Sequence, residues 1–213
     1  GISESRAKTL IQMAISKGET EESRKMYEAL QAGKRRIDNW HLDIIDNCFT
    51  IGDIKAKSKL AQKKKGVDLI VIDHLQLMSV AGYKENRTSE MTEITRQIVS
   101  LAKQVQAPIL CLSQVNRSNE AREDKRPLSS DLKESGSIEQ DADIIMVIYR
   151  DRYYKRDGDE WTEVIIRKNR HGTSGVVKLD YDMALNRFKQ YEGIEGGKAS
   201  RSETNMAKEM FKK

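Results

Sequence analysis

The sequence predicts an α/β fold: a mostly parallel sheet flanked by helices, with an antiparallel stretch after it. Three observations carry this. Leu69 to Ile72, preceded by Val67 across Asp68, form an apolar run rich in β-branched types, the pattern of a strand covered on both faces. Ile109 to Leu112 form a second such run. Between them Met91, Ile94, Ile98, Leu101 and Val105 recur at helical spacing on one face. Strand, helix, strand in that order is the unit of a parallel sheet, because parallel strands need a long crossover between them.

The elements follow in order. Ser3 can cap a first helix carrying Ala7, Leu10, Ile11, Ala14 and Ile15, which Gly18 ends; Thr20 opens a second with Glu21 and Glu22 in its first turn. Leu42 to Asp46 reads as a short strand. Thr50 and Asp53 have the spacing of a helix-capping pair, so a helix follows with Ile51, Ile54, Leu60 and Ala61 inward. Lys63-Lys64-Lys65 complements that helix's carboxyl end, and Gly66 breaks it. After the first apolar strand, the polar loop Gly82 to Arg87 leads to a helix starting near Thr88 or Ser89, and Pro108 ends the connection to the second strand. Residues 116–136 are charged with little apolar periodicity, and a long loop inside a compact domain tends to be functional. Ala142 to Tyr149 is a third apolar strand. Glu163 to Lys168 and Gly175 to Asp180 are two strands joined through His171 to Ser174, with an edge strand at Asn186 to Phe188. From about Gly193 the chain is polar, a flexible tail by composition, which makes 1–192 the domain and 193–213 the tail.

Composition narrows the function. The 213 residues carry 38 Lys and Arg against 33 Asp and Glu, a net charge of +5, and 33% of them are charged. That mild basic excess suits a nucleotide or nucleic-acid partner without establishing one. The two cysteines, Cys48 and Cys111, form neither a disulfide framework nor a metal cluster, and Cys111 reads as a core residue in a reducing compartment. No apolar run nears the ~18 residues of a membrane helix, and nothing at the first residues resembles a signal peptide. The expected location is the cytoplasm, with no membrane partner.

The chemistry gathers at strand ends. In open α/β sheets ligands bind outside the carboxyl ends of the strands. The first strand ends on Asp73, a carboxylate suited to holding Mg²⁺ through its water shell beside a nucleotide's phosphates, although such an Asp also serves simply to cap a turn. The second ends on Ser113 and Gln114, and an amide there can hydrogen-bond a γ-phosphate or the attacking water. The third begins after the acidic turn before Ala142.

Four segments, in order, resemble the DnaB-type replicative helicase family over roughly residues 40–190. They are Ile70-Val71-Ile72-Asp73-His74-Leu75-Gln76-Leu77, Leu112-Ser113-Gln114-Val115-Asn116-Arg117-Ser118, the run Asp131 to Asp143, and Lys168-Asn169-Arg170-His171-Gly172. The resemblance implies a RecA-like ATPase core, ATP and Mg²⁺ as cofactors, a homo-hexameric ring on single-stranded DNA, and a primase and a helicase loader as partners. It makes Asp73 the Walker B acid and Gln114 the γ-phosphate sensor. It makes Lys168 and Arg170, with Asn169 between them, the group that reaches a neighbour's ATP. Arg is always charged and forked, so it can neutralise charge developing on phosphoryl oxygens. Alternation along a strand would put Lys168 and Arg170 on one face. Lys133, Glu134 and Gly136 correspond to the DNA-holding loop. Gly136 allows close approach of a phosphate and Lys133 adds one charge contact, where the family usually has Arg. The loop ending at Arg87 is a second, weaker DNA-facing candidate.

No Gly-x-x-x-x-Gly-Lys-Ser/Thr occurs, and Gly196-Gly197-Lys198-Ala199 does not supply one. On the family pattern the phosphate loop and catalytic glutamate lie upstream of residue 1, so the expectation is a C-terminal motor portion that is inactive alone. Two alternatives stand beside it: another RecA-like ATPase of recombinase type, which should lack the Asp131–Asp143 run, and a non-catalytic fragment that packs against a ring.

Overall fold

The computed structural model describes residues 21–80, 86–132, 135–155, 157–182 and 187–191. The helix read at Ser3 to Gly18, Lys133, Glu134 and the tail from Gly193 lie outside them. The chain divides into two compact units, Gly1–Asn47 and Cys48–Lys213. In the first, helix α1 spans Glu21–Asp38, with Arg35 and Arg36 in its last turn where the helix dipole favours cations. Leu42 to Asp46 forms no strand: no ladder partner meets it among the described residues, and Ile44 is 84% exposed. Alternating apolar and acidic residues mimic a strand, but pairing decides whether one forms.

The second unit begins with α2 (Ile51–Lys65). The Thr50 hydroxyl accepts from the Asp53 amide at 3.1 Å, and Gly66 ends the helix at φ 79°, which a side chain would resist. Ile51 is buried, but Leu60 is exposed rather than inward. Nine residues at about 100° each carry Leu60 to the opposite face from Ile51. Strand β1 (Ile70–Ile72) follows, then a 3-10 turn at Leu75–Leu77, and α3 (Arg87–Val105), which is capped by the Asn86 side chain accepting from the Ser89 amide. All five apolar residues read on α3 are buried. Strand β2 (Ile109–Cys111) lies parallel to β1, with Ile70 opposite Ile109 and Ile72 opposite Cys111. This is the crossover that the sequence predicts.

The remaining strands form an antiparallel sheet in the order β3-β4-β5-β6: β3 (Ile144–Arg150), β4 (Trp161–Asn169), β5 (Gly175–Asp182) and β6 (Arg187–Gln190). Helix α4 (Ser135–Asp141) leads into β3, and the short α5 (Asp151–Tyr154) follows it. Among the described residues the antiparallel part is the larger, and parallel pairing is limited to β1 with β2 and a single bridge between Thr50 and Ser79. One core joins both: Ile72, Met91, Ile94, Ile98 and Ile138 cluster with Ile145, Val147, Tyr149 and Ile165. A second cluster of Leu101, Val105 and Ala107 packs beneath β1. The helices cover one face of the β1–β2 pair. Val71, Leu110 and Leu112 are exposed on the other, so the double coverage read from the apolar runs is not met within the described residues.

The part of the charged stretch at residues 116–132 is held down rather than loose. It makes 3-10 turns at Arg117–Ala121 and Ser129–Asp131. Arg122 pairs with the buried Asp131, Arg126 makes a two-pronged pair with Glu163 on β4, and Arg167 donates to the Pro127 carbonyl at 2.8 Å. A bulge at Arg167, where Ile145 faces Lys168 and Met146 faces Ile166, turns that side chain toward the loop.

Candidate active site

The parallel register brings the ends of β1 and β2 side by side. Ile72 O accepts from Leu112 N at 2.9 Å, and Leu75 N donates to Leu112 O at 3.0 Å. Asp73 therefore leaves the sheet next to Ser113 and Gln114, as the sequence predicts. Its carboxylate is 73% exposed and its peptide bond to His74 is cis. Its near neighbour is His74, with Nδ1 at 3.6 Å from Oδ1. His74 Nε2 lies 3.3 Å from the Gln114 amide nitrogen. With that amide donating, the ring proton sits on Nδ1, on the side of Asp73.

Gln76 joins the two strand ends directly. Its Nε2 donates to Ser113 Oγ at 3.0 Å, and its Oε1 accepts from Gln114 N at 3.1 Å. The sequence reading gave neither Gln76 nor His74 a role. The available signal was a polar side chain between two leucines, directly after a strand.

A solvent-facing carboxylate at a strand end fits Mg²⁺. That ion keeps several waters and takes one or two carboxylates plus substrate phosphates, rather than a dedicated cage. Among the described residues no group of three His, Cys, Asp or Glu forms such a cage.

The cationic pair lies elsewhere, against the carboxyl end of α4. Lys168 is the next-to-last residue of β4, and its ammonium donates to the carbonyls of Glu139 at 2.6 Å and Gln140 at 3.2 Å. Arg170 lies beyond the strand, in the turn, so strand alternation does not align it with Lys168. Both nonetheless meet α4. Arg170 donates to Asp143 Oδ1 at 2.7 Å and to the Gln140 carbonyl at 3.3 Å, and its backbone amide reaches the Asp143 carbonyl at 2.9 Å. Asn169 turns back on its own hairpin: its amide donates to Thr173 O at 3.2 Å, and it would have to shift to admit a side chain at Gly172.

Gly136 lies in the first turn of α4, exposed, with open space where a Cβ would stand. Arg87 is committed to the fold. Its guanidinium donates to the carbonyls of Gln76 and Met78 at 3.0 and 2.9 Å and pairs with Glu90 at 2.7 Å. Glu90 in turn accepts from Val80 N at 2.8 Å, and that hydrogen bond, ahead of Arg87, draws its carboxyl below the usual range. Arg87 thus fixes the chain leaving Asp73.

The family of DnaB-like helicase C-terminal domains matches residues 4–190. The chain is 46% identical over 145 residues to the replicative DNA helicase DnaB of Geobacillus stearothermophilus, covering 67% of this chain and 32% of that protein. It is 45% identical over 150 residues to the replicative DNA helicase DnaB of Buchnera aphidicola subsp. Acyrthosiphon pisum, covering 69% and 33%. Its fold is similar to a DnaB-like replicative helicase solved for its interactions with primase, with TM-score 0.74 and 34% identity, covering 81% of this chain and 42% of that one. A second solved structure, of an ATPase domain, aligns with TM-score 0.75 and 34% identity, covering 85% and 64%. The chain spans about a third of the length of the curated relatives it matches.

Proposed function

The chain belongs to the family of DnaB-like helicase C-terminal domains, and from that premise we propose that it supplies one side of the ATP site and part of the DNA path of a ring-shaped replicative helicase. The observation that carries this is the junction of Asp73 and Gln114 at adjacent strand ends, tied together by His74 and Gln76. Asp73 orders the water shell of Mg²⁺, which when bound offsets negative charge on the phosphates. Gln114 senses the γ-phosphate, and its backbone amide and side chain are both held, so its reach is set in advance of the nucleotide. Lys168 and Arg170 act across an interface on the neighbour's ATP in a homo-hexamer, and Asn169 shapes their turn. Lys133, Glu134 and Gly136 face single-stranded DNA. Arg87 positions the segment after Asp73 rather than binding DNA. Primase and a helicase loader are the partners proposed for the intact protein, and the cytoplasm its location.

No phosphate-cradling sequence occurs in the 213 residues, and without its backbone donors the β- and γ-phosphates have no seat. The test is ATP turnover. In the intact protein Asp73→Asn should lower phosphate release on the order of 10²-fold with the fold unchanged, because the side chain is largely exposed and the substitution keeps its shape. The 213-residue chain by itself should release none. An Asp73→Asn protein with unaltered turnover would remove Asp73 from the site.

A further inference from the structure

Helix α4 is short, anchored, and touches both of the proposed ligand-facing regions. Ile138 is buried in the shared core, and the Thr95 hydroxyl on α3 donates to Asp141 at 2.6 Å. At seven residues the helix is roughly 10 Å long, so about two helical turns separate Gly136 at one end from the Asp143 junction past the other. Upstream, Val115, the residue after Gln114, bridges to Leu132, the residue before Lys133, and Asn116 N donates to Asp131 O at 2.7 Å. The strand end carrying Gln114 is thereby tied to the turn ending at Leu132, and Lys168 and Arg170, at and just past the end of β4, are tied to the carboxyl end of α4.

We propose that Asp143, together with the Glu139 and Gln140 carbonyls, positions Lys168 and Arg170 by fixing them to α4, so that single-stranded DNA taken up at the Gly136 end adjusts their reach toward a neighbour's nucleotide. Asp143 holds Arg170 twice, by its carbonyl to the backbone amide and by its carboxylate to the guanidinium. The backbone contact sets where the residue stands, and the side-chain contact sets where the fork points. Both side chains are substantially exposed, at 49% for Arg170 and 63% for Asp143. An exposed pair of this kind adds little to stability, which leaves orientation as its use. Lys168 takes two helix-end carbonyls, which otherwise lack partners within the helix. A shift of α4 would therefore carry both cations with it. Nothing requires Asp143 to touch nucleotide or DNA.

This inference rests on the proposed roles of Arg170 and Gly136, and the experiment separates the two. In the intact protein, ATP turnover is measured with and without a single-stranded oligothymidylate for the wild type, Asp143→Asn, Asp143→Ala, Asp143→Glu and Arg170→Ala. Asp143→Asn and Asp143→Ala should lower the ratio of DNA-stimulated to DNA-free turnover by roughly five-fold or more, the low end of an inter-site coupling, with KM for ATP unchanged. Asp143→Glu should recover part of the ratio. Asn is isosteric with Asp, so a folding failure confined to the alanine variant leaves the test intact. Equal losses with and without DNA, or an unchanged ratio, would overturn the positioning role while leaving the proposed function standing, provided Arg170→Ala is inactive. An active Arg170→Ala would overturn both.

Discussion

Truncating Arg126 should cost far more than removing an ordinary surface cation. Its guanidinium meets Glu163 with two hydrogen bonds, of 2.7 and 2.8 Å, and lies 4.7 Å from the centre of the Tyr149 ring. The Glu163 side chain is only 8% exposed. Arg126→Ala would leave it with the Trp161 indole N–H at 3.4 Å. Stranding one partner of a buried pair costs ~3–5 kcal/mol. Arg126 itself is about a third open to water, which screens the pair, so about 2–3 kcal/mol is the reasoned loss. The pH dependence has a definite sign. The Arg126 hydrogen bonds, against the pull of burial, hold the Glu163 carboxyl below its usual range. The pair therefore stabilises the fold above the unfolded carboxyl pKa, about 4.3, and that contribution is lost as the pH falls through the lower folded value. Without Arg126 the pull of burial is opposed only by the Trp161 N–H and the Lys178 charge, so the folded pKa rises. The variant then regains stability as falling pH protonates Glu163, so its deficit should be larger at pH 7 than at about pH 5. Urea unfolding of both proteins at the two pH values measures this. A deficit below about 1 kcal/mol at pH 7, or one independent of pH, would refute the reasoning.

Two further perturbations bear on the site. Gln76→Ala removes that side chain's two hydrogen bonds to Ser113 and Gln114, a stability loss of about 2 kcal/mol at ~1 kcal/mol each; in the intact protein it should also lower kcat more than it raises KM for ATP, and steady-state kinetics with unchanged kcat would leave Gln76 a purely structural residue. Lys133→Ala should weaken single-stranded DNA binding alike for all sequences and flatten the salt dependence by roughly one counterion, so a fluorescence-anisotropy titration with an unaltered slope would take Lys133 out of the DNA path.

What the sequence could reveal depended on whether the information was local. The cap at Thr50, the break at Gly66, the buried stripe of α3 and the β1–α3–β2 crossover are all set by residues close in sequence, and all were legible. Leu42 to Asp46 was misread because a strand exists only with a partner, which periodicity does not report. Leu60 was misassigned by counting apolar residues without following their angle round the helix. The uncovered face of Val71, Leu110 and Leu112 was illegible because an apolar run says what a strand needs and not what is present to meet it. At the site, the strand-end residues Asp73 and Gln114 stood out by type and place. Gln76, His74 and Asp143 did not, since each acts through a contact with a residue 27 to 40 positions away. Arg87 and Arg170 were visible as cations, but only their partners distinguish a guanidinium spent on backbone carbonyls from one held at a helix end.

The central claim is that the ATP site is shared between subunits, with Arg170 acting on a neighbour. Subunit mixing tests it most directly. An Arg170→Ala subunit and one with a disabled phosphate-cradling loop each lack a different half of the shared site, and each alone should be nearly inactive, an arginine finger being worth on the order of 10³-fold or more. Mixed rings should regain ATP turnover at the interfaces where an intact half meets an intact half. Turnover no greater than that of the separate variants, in rings shown to contain both subunits, would contradict the account.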